Sequence, residues 1–304
     1  MKTKLFLPIM LVGLLILTAC GTQNQNAGQG GGAYIGGTTG LVASFEPLSI
    51  IENSIYTVFD SEDFPIEIVL TNKGEEDIVP GKVNLKLLGP AKTDFRNIPS
   101  WELRNVNTIN KISQFNPEGG EEVISFTPGA RALYTAPVTG YNDITWNLEY
   151  SYEYKTSSIV SDVCFKGDLT RTEVCDVKAA RTTAVSAAPI SITNVQEDTG
   201  GKGIITLSFD VLNAGKGEVT IPGKEFDNRF GQISYTIDEP TKWECKSGGR
   251  EGEARLIGGR ATVICRLKAP LGEDDLYVKN VRFTLNYVYK EILQEKLRVK
   301  ESVK

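Results

Sequence analysis

The sequence predicts an all-β chain: two β-sandwich domains in tandem, preceded by a short apolar leader and a polar tether. Three observations carry that prediction. Ile144, Trp146, Leu148, Tyr150, Tyr152 and Tyr154 fall on one face of a period-two run, with Thr145, Asn147, Glu149, Ser151 and Glu153 on the other. That is the pattern of a half-buried antiparallel strand. Residues 143–152 return as 280–289, one of several matches that keep their order along the chain, which reads as an internal duplication. Turn residues interrupt the chain at short intervals, and almost no stretch has a helical period.

The leader comes first. Lys2 and Lys4 give it a positive start, and residues 5–17 are apolar except at Pro8 and Gly13, the layout of a secretion signal. The run is shorter than the roughly 20 apolar residues a membrane span needs. A cut before Cys20 places Leu17 at −3, where ordinary signal cleavage prefers a small residue. Leu17-Thr18-Ala19-Cys20 instead resembles the lipobox of prokaryotic lipoproteins and matches it at every position. The resemblance implies that residues 1–19 are removed and that Cys20 carries lipid as the mature N-terminus. The expected location is the extracytoplasmic face of the cell membrane. A thiolate is a good nucleophile for a lipid donor, and two acyl chains hold where one does not.

Residues 20–40 are rich in Gly, Asn, Gln and Thr without hydrophobic period, so they read as a flexible tether. Twenty such residues have an r.m.s. reach of roughly 25 Å. The first sandwich is expected over 41–178. Its strands include 64–71, which ends in an Asn72-Lys73-Gly74 turn, then 83–87, 123–126, 132–134 and the tyrosine run. Cys164 and Cys175 flank a Lys166-Gly167-Asp168 turn, so they are expected to face each other across a hairpin. A bridge closing so short a loop is worth roughly 3 kcal/mol in the chain-entropy model.

Residues 179–189 are small and polar without period, which predicts an interdomain linker. The second sandwich, 190–304, repeats the first: 204–211 leads to Asn213-Ala214-Gly215, residues 219–224 echo 78–82, and Lys268-Ala269-Pro270 echoes Thr135-Ala136-Pro137. About seven short strands per copy favour the immunoglobulin-like type of sandwich. Trp243 precedes Cys245 by two residues, placing an aromatic beside a Cys245–Cys265 bridge that joins either two sheets or two neighbouring strands. With Cys20 set aside, the other four of the five cysteines fall into these two pairs, and an exported chain oxidises them by default.

Together, Phe45-Glu46-Pro47, the Asn-x-Gly turns, Ala188-Pro189, Val263-Ile264-Cys265 and the Tyr-x-Tyr endings are similar to a group of secreted archaeal surface proteins with tandem immunoglobulin-like domains. The resemblance implies an exported, disulfide-bonded scaffold and carries no catalytic residue.

Composition bounds the function. The chain has 33 basic and 38 acidic residues and no histidine. The acidic balance argues against nucleic acid as a partner. Without histidine, Ser-His and Cys-His nucleophile systems cannot be built, so no catalytic residue, metal or cofactor is expected. The tyrosines could form a sugar platform, although such a stripe is more often the inner face of a sandwich. Glu75-Glu76-Asp77 and Glu273-Asp274-Asp275 lack the spaced ligands of a calcium loop. The expected function is a non-catalytic, lipid-anchored spacer or adhesion module. Its expected partners are membrane lipid through Cys20 and an envelope protein or glycan. The alternatives are a solute or glycan receptor and an envelope assembly subunit.

Replacing Cys20 by Ala is expected to release the protein from the membrane fraction or leave its leader uncut. Fractionation with mass analysis of the mature N-terminus checks this; unchanged anchoring and processing would overturn the lipid assignment.

Overall fold

The tyrosine run lies inside a strand far longer than its alternation suggested. In the computed structural model, which describes residues 32–303 apart from Thr172, that strand covers Tyr141–Lys166, 26 residues. The leader, Cys20 and the tether up to residue 31 lie outside the described residues. Every second side chain from Ile144 to Val160 is buried, as the period requires. A strand near the chain end, Leu276–Lys300, is 25 residues long. The two pair antiparallel from Tyr141↔Lys300 to Lys166↔Leu276, with one irregularity between Val160 and Val163. At about 3.3 Å per residue each has a contour of roughly 80 Å.

Around this pair grows a ten-stranded sheet. On the first-half side Val83–Gly89 joins Tyr141–Lys166, and Glu102–Arg104 joins that strand in turn; on the second-half side Gly231–Ile237 joins Leu276–Lys300, followed by Glu253–Leu256. Ile55–Phe59 runs parallel to the end of Leu276–Lys300, so the last residues of that strand close the first half. A three-stranded sheet (Leu41–Phe45, Glu67–Asn72, Glu121–Ser125), a smaller one (Asp63–Phe64, Ala132–Tyr134, Phe95–Arg96) and a five-stranded one led by Ile190–Gly201 and Ile204–Asn213 complete the fold. Among the described residues the only helical element is a 3-10 turn at Lys92–Asp94.

The chain is therefore all-β, and its sheets do not separate into the two expected domains, since Gly32–Lys304 is one compact unit with a single buried apolar cluster. In the first half Trp146 packs on Phe64, Phe95 and Trp101 at 6.3, 4.9 and 6.0 Å between ring centroids. In the second, Phe209 meets Phe283 at 4.4 Å. Phe165, at the end of the first long strand, packs 6.0 Å from Trp243. Each long strand thus begins in one half and ends in the other.

The 179–189 segment does not hang between the halves. Thr183–Val185 pairs with Ser158–Val160, and Ser186, Ala187 and Ala188 are buried. Its small side chains, which suggested a linker, let the backbone sit close against the layers. The end of the tether is seated beside it. Glu75 accepts hydrogen bonds from the backbone N–H groups of Ile35 (2.9 Å), Gly36 (3.0 Å) and Ala187 (2.8 Å).

Two matching clasps tie turns to the long strands. Asn72 accepts from the Tyr154 hydroxyl at 3.1 Å and donates to the Glu76 carbonyl at 2.7 Å, while the Glu76 N–H donates back to that hydroxyl at 3.2 Å. Asn213 accepts from the Tyr289 hydroxyl at 3.1 Å and donates to the Gly217 carbonyl at 2.8 Å, and Gly217 N–H donates to the hydroxyl at 2.8 Å. A Cβ on Gly74 or Gly215 would sit 2.1 Å from the facing tyrosine oxygen, so each turn needs glycine for close approach. The clasps match Tyr154 with Tyr289, whereas aligning 143–152 with 280–289 matches Tyr152 with Tyr289. A two-residue shift keeps the same face inward, so alternation alone does not separate the two registers.

Tyr154→Phe and Tyr289→Phe are each expected to cost about 1–3 kcal/mol in urea unfolding, because each strands a polar partner out of water. Gly74→Ala and Gly215→Ala are expected to cost a similar about 1–3 kcal/mol through overpacking. Changes below about 0.5 kcal/mol, the range of ordinary surface substitutions, would deny the clasps their role.

Candidate functional site

The tyrosine stripe faces inward, as its reading as the inner face of a sandwich expects, and offers no sugar platform. Tyr150, Tyr152, Tyr154, Tyr287 and Tyr289 are all buried, and Tyr152 lies directly across from Tyr289 as Tyr154 does from Tyr287. Burial pushes the Tyr152, Tyr154 and Tyr287 phenols far up and Tyr289 to about 12, so all stay neutral; the Tyr154, Tyr287 and Tyr289 hydroxyls are hydrogen-bonded, while that of Tyr152 is buried without a partner among the described residues.

The four cysteines bridge as Cys164–Cys175 and Cys245–Cys265. Cys245 and Cys265 lie opposite each other on Trp243–Ser247 and Arg260–Leu267, with Cα atoms 3.9 Å apart. The bridge therefore joins neighbouring strands of one sheet. Cys164 lies in the first long strand, but Cys175 lies in irregular chain, so the expected hairpin does not form. The long strand pairs there with Leu276–Lys279, and Gly167 is pressed so close to Gly272 that a Cβ would lie 1.8 Å from its carbonyl oxygen. Lys166, 4 % exposed, points its ammonium at the carbonyls of Arg171 and Cys175, 2.6 Å from each. The Lys-Gly-Asp sequence organises this loop.

The acidic runs are similarly committed. Glu76 pairs with Lys155 at 2.7 Å, and Asp77 accepts from the Lys111 N–H at 2.8 Å. Glu273 meets Lys202, and Asp275 accepts from the Gly272 N–H at 2.7 Å. Among the described residues no group of three or more carboxylates or thiolates converges to hold a metal.

Several clefts among the described residues are places for a ligand, one of about 400 Å³ beside Lys178 and Glu197. One of about 210 Å³ lies beside the second clasp and is lined by Glu218, Asp227, Asn228, Arg229 and Phe230. Arg229 forks onto Asp227 at 3.0 and 2.7 Å, which holds that carboxyl down at about 2, and the Arg255 guanidinium already covers the Phe230 ring at 4.6 Å. A second, of about 260 Å³, lies where the halves meet; its charges close on each other as Lys82–Glu153 and Lys155–Glu76, both at 2.7 Å. A third, of about 620 Å³, opens beside Ile50, Asp63, Asn97 and Arg131. These walls offer hydrogen bonds to a polar ligand. Neither of the first two presents an unpaired nucleophile.

Comparison with protein-family models, with curated proteins and with solved structures finds no match.

One buried charge was not singled out from the sequence. Glu197, on Ile190–Gly201, has a fully buried side chain beside Arg181 and accepts from the Cys164 N–H at 3.0 and 3.2 Å. Burial pushes its carboxyl up to about 7, against the pull of the Cys164 N–H and Arg181. The available signal was a carboxylate inside an alternating strand. A folded-state value above the ordinary 4.5 means that the native state holds the proton over that interval while the unfolded chain has lost it. The contribution to stability is then full below about 4.5 and is lost as pH rises through about 7. Glu197→Gln is expected to gain thermal stability relative to the wild type on going from pH 5 to pH 8, as scanning calorimetry would show. A Tm difference that does not change with pH would refute the assignment.

Proposed function

We propose that this chain is a non-catalytic, lipid-anchored protein of the extracytoplasmic membrane face, a stiff scaffold that contacts neighbouring envelope protein or glycan. In this reading each half is an immunoglobulin-like sandwich, the two arose by duplication, and the whole is akin to secreted archaeal surface proteins. The observation that carries it is the pairing of Tyr141–Lys166 with Leu276–Lys300 along nearly their whole length. A hinge between sandwiches would need few contacts across it; here the strands themselves cross, which suits a spacer. The two disulfides fit an oxidising compartment.

An envelope assembly subunit is the second reading, favoured by one edge. Among the described residues Ile50–Glu52 pairs on one side only, with Ile55–Phe59, and Ile50 and Ile51 are 66 % and 64 % exposed. An unpaired apolar edge invites strand addition.

Crosslinking the anchored protein in intact envelope is expected to recover a specific envelope polypeptide or glycan, with purified protein monomeric at all concentrations. Concentration-dependent filaments abolished by Ile51→Lys would favour the assembly reading. Hydrolysis of a glycan or peptide, lost on one carboxylate substitution, would overturn both.

A further inference from the structure

The two clasps differ in what lies against them. In the first half residues 105–120, between Glu102–Arg104 and Glu121–Ser125, fold back over the clasp. The Asn72 amide donates to the Ile109 carbonyl at 3.1 Å, the Gly120 N–H donates to the Asn110 carbonyl at 2.7 Å, and Asp77 accepts from the Lys111 N–H at 2.8 Å. Ile109 also exchanges backbone bonds with Ile78 at 2.9 and 3.1 Å and is fully buried. Three groups around this clasp therefore hold the main chain of three successive residues.

The second half has the same three groups with no such segment across them. Glu218 follows Asn213 at the interval by which Asp77 follows Asn72. The Asn213 N–H donates to the Gly259 carbonyl at 2.8 Å, as the Asn72 N–H does to that of Gly120 at 3.0 Å. Only residues 257–259 separate Glu253–Leu256 from Arg260–Leu267, too few to fold over the clasp. Among the described residues nothing accepts from the Gly259 N–H, and the Asn213 amide donates to Gly217 alone. Glu218 meets Lys290 at 3.0 Å through one oxygen, which leaves the other for a donor. Asn213, Glu218 and Gly259 all line the cleft of about 210 Å³, with Val219, Phe230 and Leu256 as its apolar wall. Ile257, next to Leu256, is 75 % exposed.

The walls select among ligands. Two guanidinium groups already meet the Phe230 ring, Arg255 at 4.6 Å and Arg229 at 5.4 Å, and Arg229 forks onto Asp227. The cleft thus offers neither a bare ring for a sugar face nor a free charge for an ion. It offers main-chain partners. We infer that it binds an extended segment of another polypeptide. Asn213 and Gly259 donate to two successive carbonyls, Glu218 accepts the N–H of the next residue, and an aliphatic side chain enters beside Leu256. Main-chain bonds supply affinity in such a mode, and the side-chain pocket supplies selectivity. The inference rests on the scaffold reading in taking the neighbour to be protein, and it needs no lipid on Cys20.

The probe is acetyl-Thr-Ile-Asn-Lys-Ile-amide, the sequence of residues 108–112, titrated into the purified full chain in detergent with its amide nitrogens labelled for NMR. Saturable shifts of the Gly259 backbone amide and the Asn213 side-chain amide are expected. The same peptide N-methylated at its lysine is expected to bind the wild type about tenfold more weakly, because a hydrogen bond to a charged acceptor is lost. That difference is expected to vanish in Glu218→Ala, which removes the acceptor. Four outcomes overturn the inference and leave the scaffold reading to its crosslinking test: no saturable shift, shifts confined to the first clasp, equal binding of both peptides to the wild type, or a difference that survives in Glu218→Ala. Peptide cut during the titration overturns both.

Discussion

The structure depends on two strands that run past the limits of their own halves. A sandwich normally buries its inner face with strands of five or six residues. Here the alternation established at Ile144 continues to Val160, and each further pair of residues carries the inward face deeper into the second half. Trp146 and Phe165, on one strand, therefore belong to ring clusters in opposite halves. Neither half can open its sheet without breaking the ladder that the other uses.

The clasps explain why the long strands keep their register. A strand can slip by two residues without turning any side chain to the wrong face. Hydrogen bonds from Tyr154 and Tyr289 to Asn72 and Asn213 remove that freedom, because the hydroxyls must reach fixed points over two glycines. Short polar contacts thus set a position that apolar packing alone leaves open.

Much of this was legible in the sequence. Period-two runs and ordered repeats place the strands and their inward faces, since burial acts on every second residue. The cysteine pairs follow because each pair falls within one half of the chain. The separation into domains was not legible, because a sequence period says which face is buried and nothing about which strand lies alongside. Ser186-Ala187-Ala188 reads as linker for want of bulk, yet close packing wants the same small residues. Lys166-Gly167-Asp168 reads as a turn, and its lysine is buried only because two carbonyls from the following loop converge on it. The clefts draw residues from several loops that no local pattern connects, and Cys20 lies outside the described residues.

The seat of the tether on Glu75 has a mechanical consequence. Tension on the segment that leads into the Leu41–Phe45 strand meets first the Glu75 carboxylate gripping the amides of Ile35 and Gly36, and then two backbone bonds, from Ala188 N–H to the Gly37 carbonyl and from Lys73 N–H to the Gly40 carbonyl. That grip can yield as a fuse, paying out several residues of slack under load while the sheets behind it stay whole.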